Sequence, residues 1–201
     1  MGAPRNALGR GFLRDERGVA ILEAAFIFPI MVMILALIVI WGQAYDIKRK
    51  VYQSVYSVTD IVANEGLTGN GGAVSQAQLD ADLQLAASTM LPFTDNNTGP
   101  LSMVVTEFKA DANGVVGTVL WSEAQFGGVA RAAGTTITLP TGLVAANGYV
   151  LLGEGSYTYT PLNIGFIPVT TMVLRDTVYL APRVHRCIPT YSYNPGLNVC
   201  N

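Results

Sequence analysis

The apolar positions of this chain fall into three successive patterns, and each predicts a different element. From Ala24 to Trp41 they are nearly continuous and no residue is charged. Wound as a helix rising ~1.5 Å per residue, that run covers ~27 Å, close to the ~30 Å hydrocarbon core of a bilayer. It reads as a membrane-spanning helix, with Pro29 inside it and Trp41 and Tyr45 suited to the outer interface. Beyond Trp41 the continuity gives way to a stripe. Ile47, Val51, Val55, Val58, Ile61 and Val62 recur every three or four positions, on one face of a helix running to about Asn64. The span is therefore expected to continue as a stem, packed on the chain's own domain or on neighbouring stems. The stretch EGLTGNGGA, Glu65 to Ala73, is too glycine-rich for a helix interior and marks a linker. A second, amphipathic helix follows, with Ser75 as its N-cap, Leu79, Leu83, Ala86, Ala87 and Met90 on one face, and Pro92 at its end.

After a loop from Thr94 to Pro100 the period shortens to that of strands. Leu101–Lys109 and Val115–Trp121 are β-rich, and Asn113-Gly114 between them suits the positive φ of a hairpin turn. A short strand is expected at Thr135–Leu139, and two strong ones at Tyr149–Thr160 and Val169–Leu180, joined by the connection Pro161–Pro168. Helices first and strands after predict an α+β fold with the helices on one face of an antiparallel sheet. The expected organisation is a leader over residues 1–18, a transmembrane helix and stem over 19–64, and an extracytoplasmic α+β domain over 65–201.

Composition narrows the function. Half the residues are apolar, 13% are charged and the net charge is −2, so no basic surface is available for nucleic acid. The two cysteines, Cys187 and Cys200, bracket a short loop holding Pro189, Pro195 and Gly196. An even pair so placed reads as a disulfide in an oxidising compartment; the alternative is two free thiols. An enzyme needs a constellation that is missing here. His185 is the single histidine, and Ser156 in Gly153-Glu154-Gly155-Ser156-Tyr157 lacks the spacing of a nucleophile elbow. The glycines at 69, 71 and 72 and at 127–128 do not form a phosphate loop. No catalytic residue, metal site or cofactor is expected.

The amino end carries the sharpest signal. Arg5, Arg10, Arg14 and Arg17 make a basic leader, but Lys48, Arg49 and Lys50 nearly balance it, so charge alone does not orient the span. Glu23 stands at the mouth of the apolar run, where a lone carboxylate needs water or a partner. A cut after Gly18 would supply one, because the new amine at Val19 would lie one helical turn away. Gly18-Val19-Ala20-Ile21-Leu22-Glu23, preceded by Arg14-Asp15-Glu16-Arg17 and followed by the apolar helix, resembles the prepilin cleavage site of the type IV pilin superfamily. Near the other end, Tyr157-Thr158-Tyr159-Thr160-Pro161-Leu162, followed by a β-branched strand, resembles the closing part of TadE-like proteins.

Together these stretches make the chain similar to the TadE-like minor pseudopilins of the tight-adherence (Tad/Flp) pilus system. It departs from Flp-type pilins in having Ala24 where they usually carry tyrosine after the glutamate. The resemblance implies cleavage by a prepilin peptidase between Gly18 and Val19, with Glu23 guiding subunits into register. It also implies a single-pass protein of the bacterial inner membrane, amino end in the cytoplasm and domain in the periplasm. Its partners would be other pilins or pseudopilins and the Tad secretion platform, and its role the assembly of an adhesive pilus. Two other arrangements fit the same residues: an uncleaved signal anchor whose outer domain binds another envelope component, and a secreted module released after Gly42-Gln43-Ala44. The apolar run is longer than the usual core of a secretory signal and starts beside Glu23 rather than a basic residue.

Overall fold

The computed structural model describes residues 16–65, 74–93, 100–161, 170–184 and 186–188. The first fifteen residues of the leader, most of the glycine-rich linker, the connection 162–169, His185 and Cys200 lie outside them. Helix α1 is a single 49-residue element, Glu16–Asn64. It begins before Gly18, so the expected leader junction falls in its first turn. It also passes through Pro29, which has no N–H to offer the carbonyl of Ala25. The chain divides after Gln43 into two units.

In the second unit the expected stripe is the buried face of the stem. Ile47, Val51, Val55, Val58 and Val62 are each at most 1% exposed, while Tyr52 and Tyr56 stack on the outer side with ring centroids 6.2 Å apart. Ile61 is only half-buried. Helix α2, Gln76–Met90, starts where the Ser75 Oγ accepts the Gln78 N–H at 3.2 Å. It buries the five expected apolar residues and also Asp82. The Ser54 Oγ–H donates to the Ala86 carbonyl at 3.1 Å, tying stem to α2.

Five strands follow: β1 Leu101–Ala110, β2 Val116–Gln125, β3 Thr136–Thr138, β4 Tyr149–Tyr159 and β5 Met172–Leu180. They form one antiparallel sheet in the order β3-β2-β1-β4-β5. Strand β2 runs four residues past the expected Trp121, because the polar Ser122–Gln125 still pair with Met103–Thr106. Strand β5 starts three residues later than expected. The β1–β2 turn also differs. Only Gly114 takes positive φ there, at 71°, and the turn is closed by the Asp111 carboxylate, which accepts the Val115 and Val116 N–H groups at 2.9 and 3.1 Å. Those bonds hold the Asp111 carboxyl below its usual range.

Register assigns the side chains to two faces. Leu101, Met103, Val105 and Glu107 of β1 share a face with Trp121 of β2 and with Leu151, Gly153, Gly155 and Tyr157 of β4. This face receives the stem and α2. A β-bulge between Glu107 and Phe108 resets the alternation with β2. Phe108, Ala110, Val119, Leu139, Val150 and Leu152 then cluster on the opposite face, with Ile137, Val144 and Tyr179 against them. The helices lie on one face as expected. The second core, built by β1, β2 and β4 and closed by Leu139 and Val144 from the connection after β3, was not foreseen from the strand pattern.

Candidate functional site

The first half of α1 carries large apolar side chains on every side, and they are exposed. Ile21, Phe26, Phe28 and Trp41 are 72, 68, 69 and 75% exposed, and Phe26 and Phe28 point to opposite sides of the helix. A helix that packs on a protein core exposes a polar face instead. Among the described residues α1 is the one helix long and apolar enough to cross a bilayer, with a mean hydropathy of 2.8 over its best window.

Glu23 is the single charged side chain of this stretch between Val19 and Trp41. It is exposed and edges a shallow groove formed by Ala20, Ala24, Ile27, Phe28 and Met31. Val19, also exposed, precedes it by four residues, which in a helix places both on one face ~5–6 Å apart at their Cβ atoms. Among the described residues no basic side chain pairs with Glu23.

At the other end of the described chain, Cys187 is 4% exposed and its neighbour Ile188 is anchored by an internal acid. The Ile188 N–H donates to Glu107 Oε1 at 2.9 Å and the Trp121 Nε1–H donates to Glu107 Oε2 at 2.6 Å. The indole N–H also reaches the Ile188 carbonyl at 3.1 Å. Burial pushes the Glu107 carboxyl up to about 8 against the opposing pull of these two donors. This node fixes where the Cys187 segment enters the fold. Glu107 was missed in the sequence, although one signal was present: it occupies the same strand parity as Leu101, Met103 and Val105.

The Gly153-Glu154-Gly155 stretch, tested above for a nucleophile, has a packing purpose. A Cβ on Gly153 would stand 1.9 Å from Thr59 Oγ1, and one on Gly155 would stand 2.3 Å from Val55 Cγ2. The two glycines let the stem approach β4 closely. The Tyr157-x-Tyr159 pair lies in the same strand and is buried, with the Tyr157 O–H donating to the Phe93 carbonyl at 2.6 Å. Burial raises both phenols above their ordinary range. Leu162, the last residue of that motif, lies outside the described residues.

The stem is fastened further at its far end. The Arg183 N–H donates to the Ala63 carbonyl at 2.9 Å, and its guanidinium stands 2.6 Å from an Asp60 oxygen. Among the described residues no three His, Cys, Asp or Glu side chains are placed to share a metal ion. No protein-family model matches the chain, and no curated protein and no solved structure matches it either.

Proposed function

We propose that this chain is a membrane-anchored assembly subunit, a TadE-like minor pseudopilin of a tight-adherence pilus system. The observation that carries the reading is a helix exposing apolar side chains on all sides, with one carboxylate a single turn from Gly18-Val19. Apolar surface on every side belongs in lipid or among other apolar helices. Hydrolysis of the Gly18–Val19 peptide bond by a prepilin peptidase would release the leader and leave an ammonium group at Val19. Amine and Glu23 carboxylate would then neutralise one another within a subunit or between two, which makes burial of both tolerable. The α+β domain would stand in the periplasm. There Cys187, positioned by the Glu107–Trp121–Ile188 node, would pair with Cys200, a bond worth about 2–4 kcal/mol in the loop-entropy picture.

The test is the amino-terminal residue of the membrane-extracted protein, found by mass spectrometry in cells with and without the prepilin peptidase. The expected result is a start at Val19 that depends on the peptidase, and failure of Glu23→Ala to assemble. A start at Met1 or Gly2 in both strains would mean an uncleaved signal anchor, and a start at Tyr45 a secreted module. Either would overturn the reading.

A further inference from the structure

The sheet face opposite the helices is covered over only part of its length. Around Phe108 and Val119 it is closed by apolar side chains, but toward the start of β1 it turns polar. Register sets Ser102, Ser156 and Arg175 in one row across β1, β4 and β5, and Val104, Glu154 and Thr177 in the next. The segment following β2 walls this grid. A Cβ on Gly128 would lie 2.5 Å from the Met103 carbonyl oxygen, so that segment lies hard against β1. Arg131 then crosses to Glu154, donating from both terminal nitrogens, the second at 2.9 Å, and reaches Thr106 Oγ1 at 3.3 Å. The result is a concavity of about 380 Å³ whose floor is the sheet. That size lies within the ~300–1,000 Å³ typical of small-ligand sites.

The charges in this cleft do not cancel. Arg131 and Glu154 neutralise each other. Asp176 also lines the cleft, but its side chain alternates to the stem side of the sheet, where its carboxylate is offset by Lys48 Nζ at 3.8 Å and accepts the Thr177 N–H at 3.0 Å. Arg175 is exposed, and among the described residues its guanidinium has no hydrogen-bond or ion-pair partner. One cation therefore faces a floor carrying the hydroxyls of Ser102, Ser156 and Thr177. Val129, 83% exposed, adds an apolar lip.

Hydroxyls and guanidinium repeat at the ~4.8 Å strand spacing, so the row Ser102–Ser156–Arg175 extends over ~10 Å. A matching ligand presents one carboxylate to the fork of Arg175, several hydroxyls to the floor and an apolar ring face to Val129. We propose that this cleft binds a uronic-acid unit of an acidic polysaccharide. The inference stands independently of membrane insertion and of cleavage after Gly18.

The experiment is calorimetric titration of the full chain in detergent with tri-galacturonate, a neutral trisaccharide, acetate and inorganic phosphate. Tri-galacturonate is expected to bind saturably, and each of the other three at least ~10-fold more weakly, since each offers only part of the pattern. Arg175→Ala should weaken tri-galacturonate at least ~10-fold, with Arg175→Lys between it and wild type, because lysine keeps the charge without the planar fork. Ser156→Ala should cost about threefold, the loss of one neutral hydrogen bond. Absence of saturable tri-galacturonate binding overturns the proposal. So does equal affinity for the neutral sugar, for acetate or for phosphate, or an Arg175→Ala variant that folds and binds as wild type.

Discussion

The two halves of α1 are both rich in apolar residues, yet they meet different surroundings. From Val19 to Val39 the large side chains point to every side and stay exposed; from Ile47 to Val62 the aliphatic ones keep mostly to one stripe and are buried. The distinction lies in angular distribution. A protein core covers one side of a helix, whereas hydrocarbon covers all of them.

The strongest way to break the comparison is at the glycines that seat the stem. Gly153→Val would drive a Cβ into Thr59, whose hydroxyl is already held by the Val55 carbonyl at 2.6 Å. A cost of about 3 kcal/mol is expected, read by urea unfolding of the detergent-solubilised chain. In a Gly153→Ala background, Thr59→Ala should restore part of the loss, and strictly additive effects would show that the close approach does not govern stability. A second test contrasts the halves directly. Leu35→Arg is expected to weaken membrane retention, at a cost of about 3 kcal/mol at the centre of a span, while leaving the unfolding of the domain unchanged. Val55→Ala should do the reverse, destabilising the domain by about 2 kcal/mol without releasing it from the membrane fraction.

pH offers a separate handle on the domain, through two internal acids. Burial pushes the Glu107 carboxyl up to about 8 in the folded chain, from an ordinary value of 4.5. Between these values the folded state holds a proton that the unfolded state has lost. Its contribution is therefore complete below about 4.5, falls by ~1.4 kcal/mol per pH unit as pH rises, and is gone above about 8. Asp82, raised to about 6 mainly by burial and also by nearby Glu65, acts in the same sense over the shorter window from 3.8 to about 6. Glu107→Gln should remove most of the slope of thermal stability between pH 6 and 8, and Asp82→Asn should flatten only the acid side. A slope unchanged by Glu107→Gln would mean that the carboxylate is already ionised in the fold.

Much of the architecture was legible because it is local. The stem stripe, the cap at Ser75 and the face of α2 each follow from spacing within about twenty residues, and the structure has them where the pattern put them. What escaped depends on distant pairing. Ser122–Gln125 look like a loop until Met103–Thr106 lie beside them, and the insertion of β4 between β1 and β5 has no local mark. Glu107 reads as a surface acid because its donors, Trp121 and Ile188, lie 14 and 81 residues away. Nothing local to Gly153 and Gly155 marks that Val55 and Thr59 pack against them. The proposed assembly site involves no distant pairing. Gly18, Val19 and Glu23 lie within six consecutive residues of one helix, so sequence order alone brings them together.

The seating of the stem also decides how the domain bears load. Its ridge of Val51, Val55 and Thr59 lies over β4, a strand hydrogen-bonded on both sides, to β1 and to β5. Tension along the stem would act parallel to that interface rather than peel away a free edge. Interlocked side chains then have to slide together past the glycine positions, while Arg183 grips the stem at Asp60 and Ala63. A domain seated this way would meet such tension in shear, the direction in which a packed interface yields last.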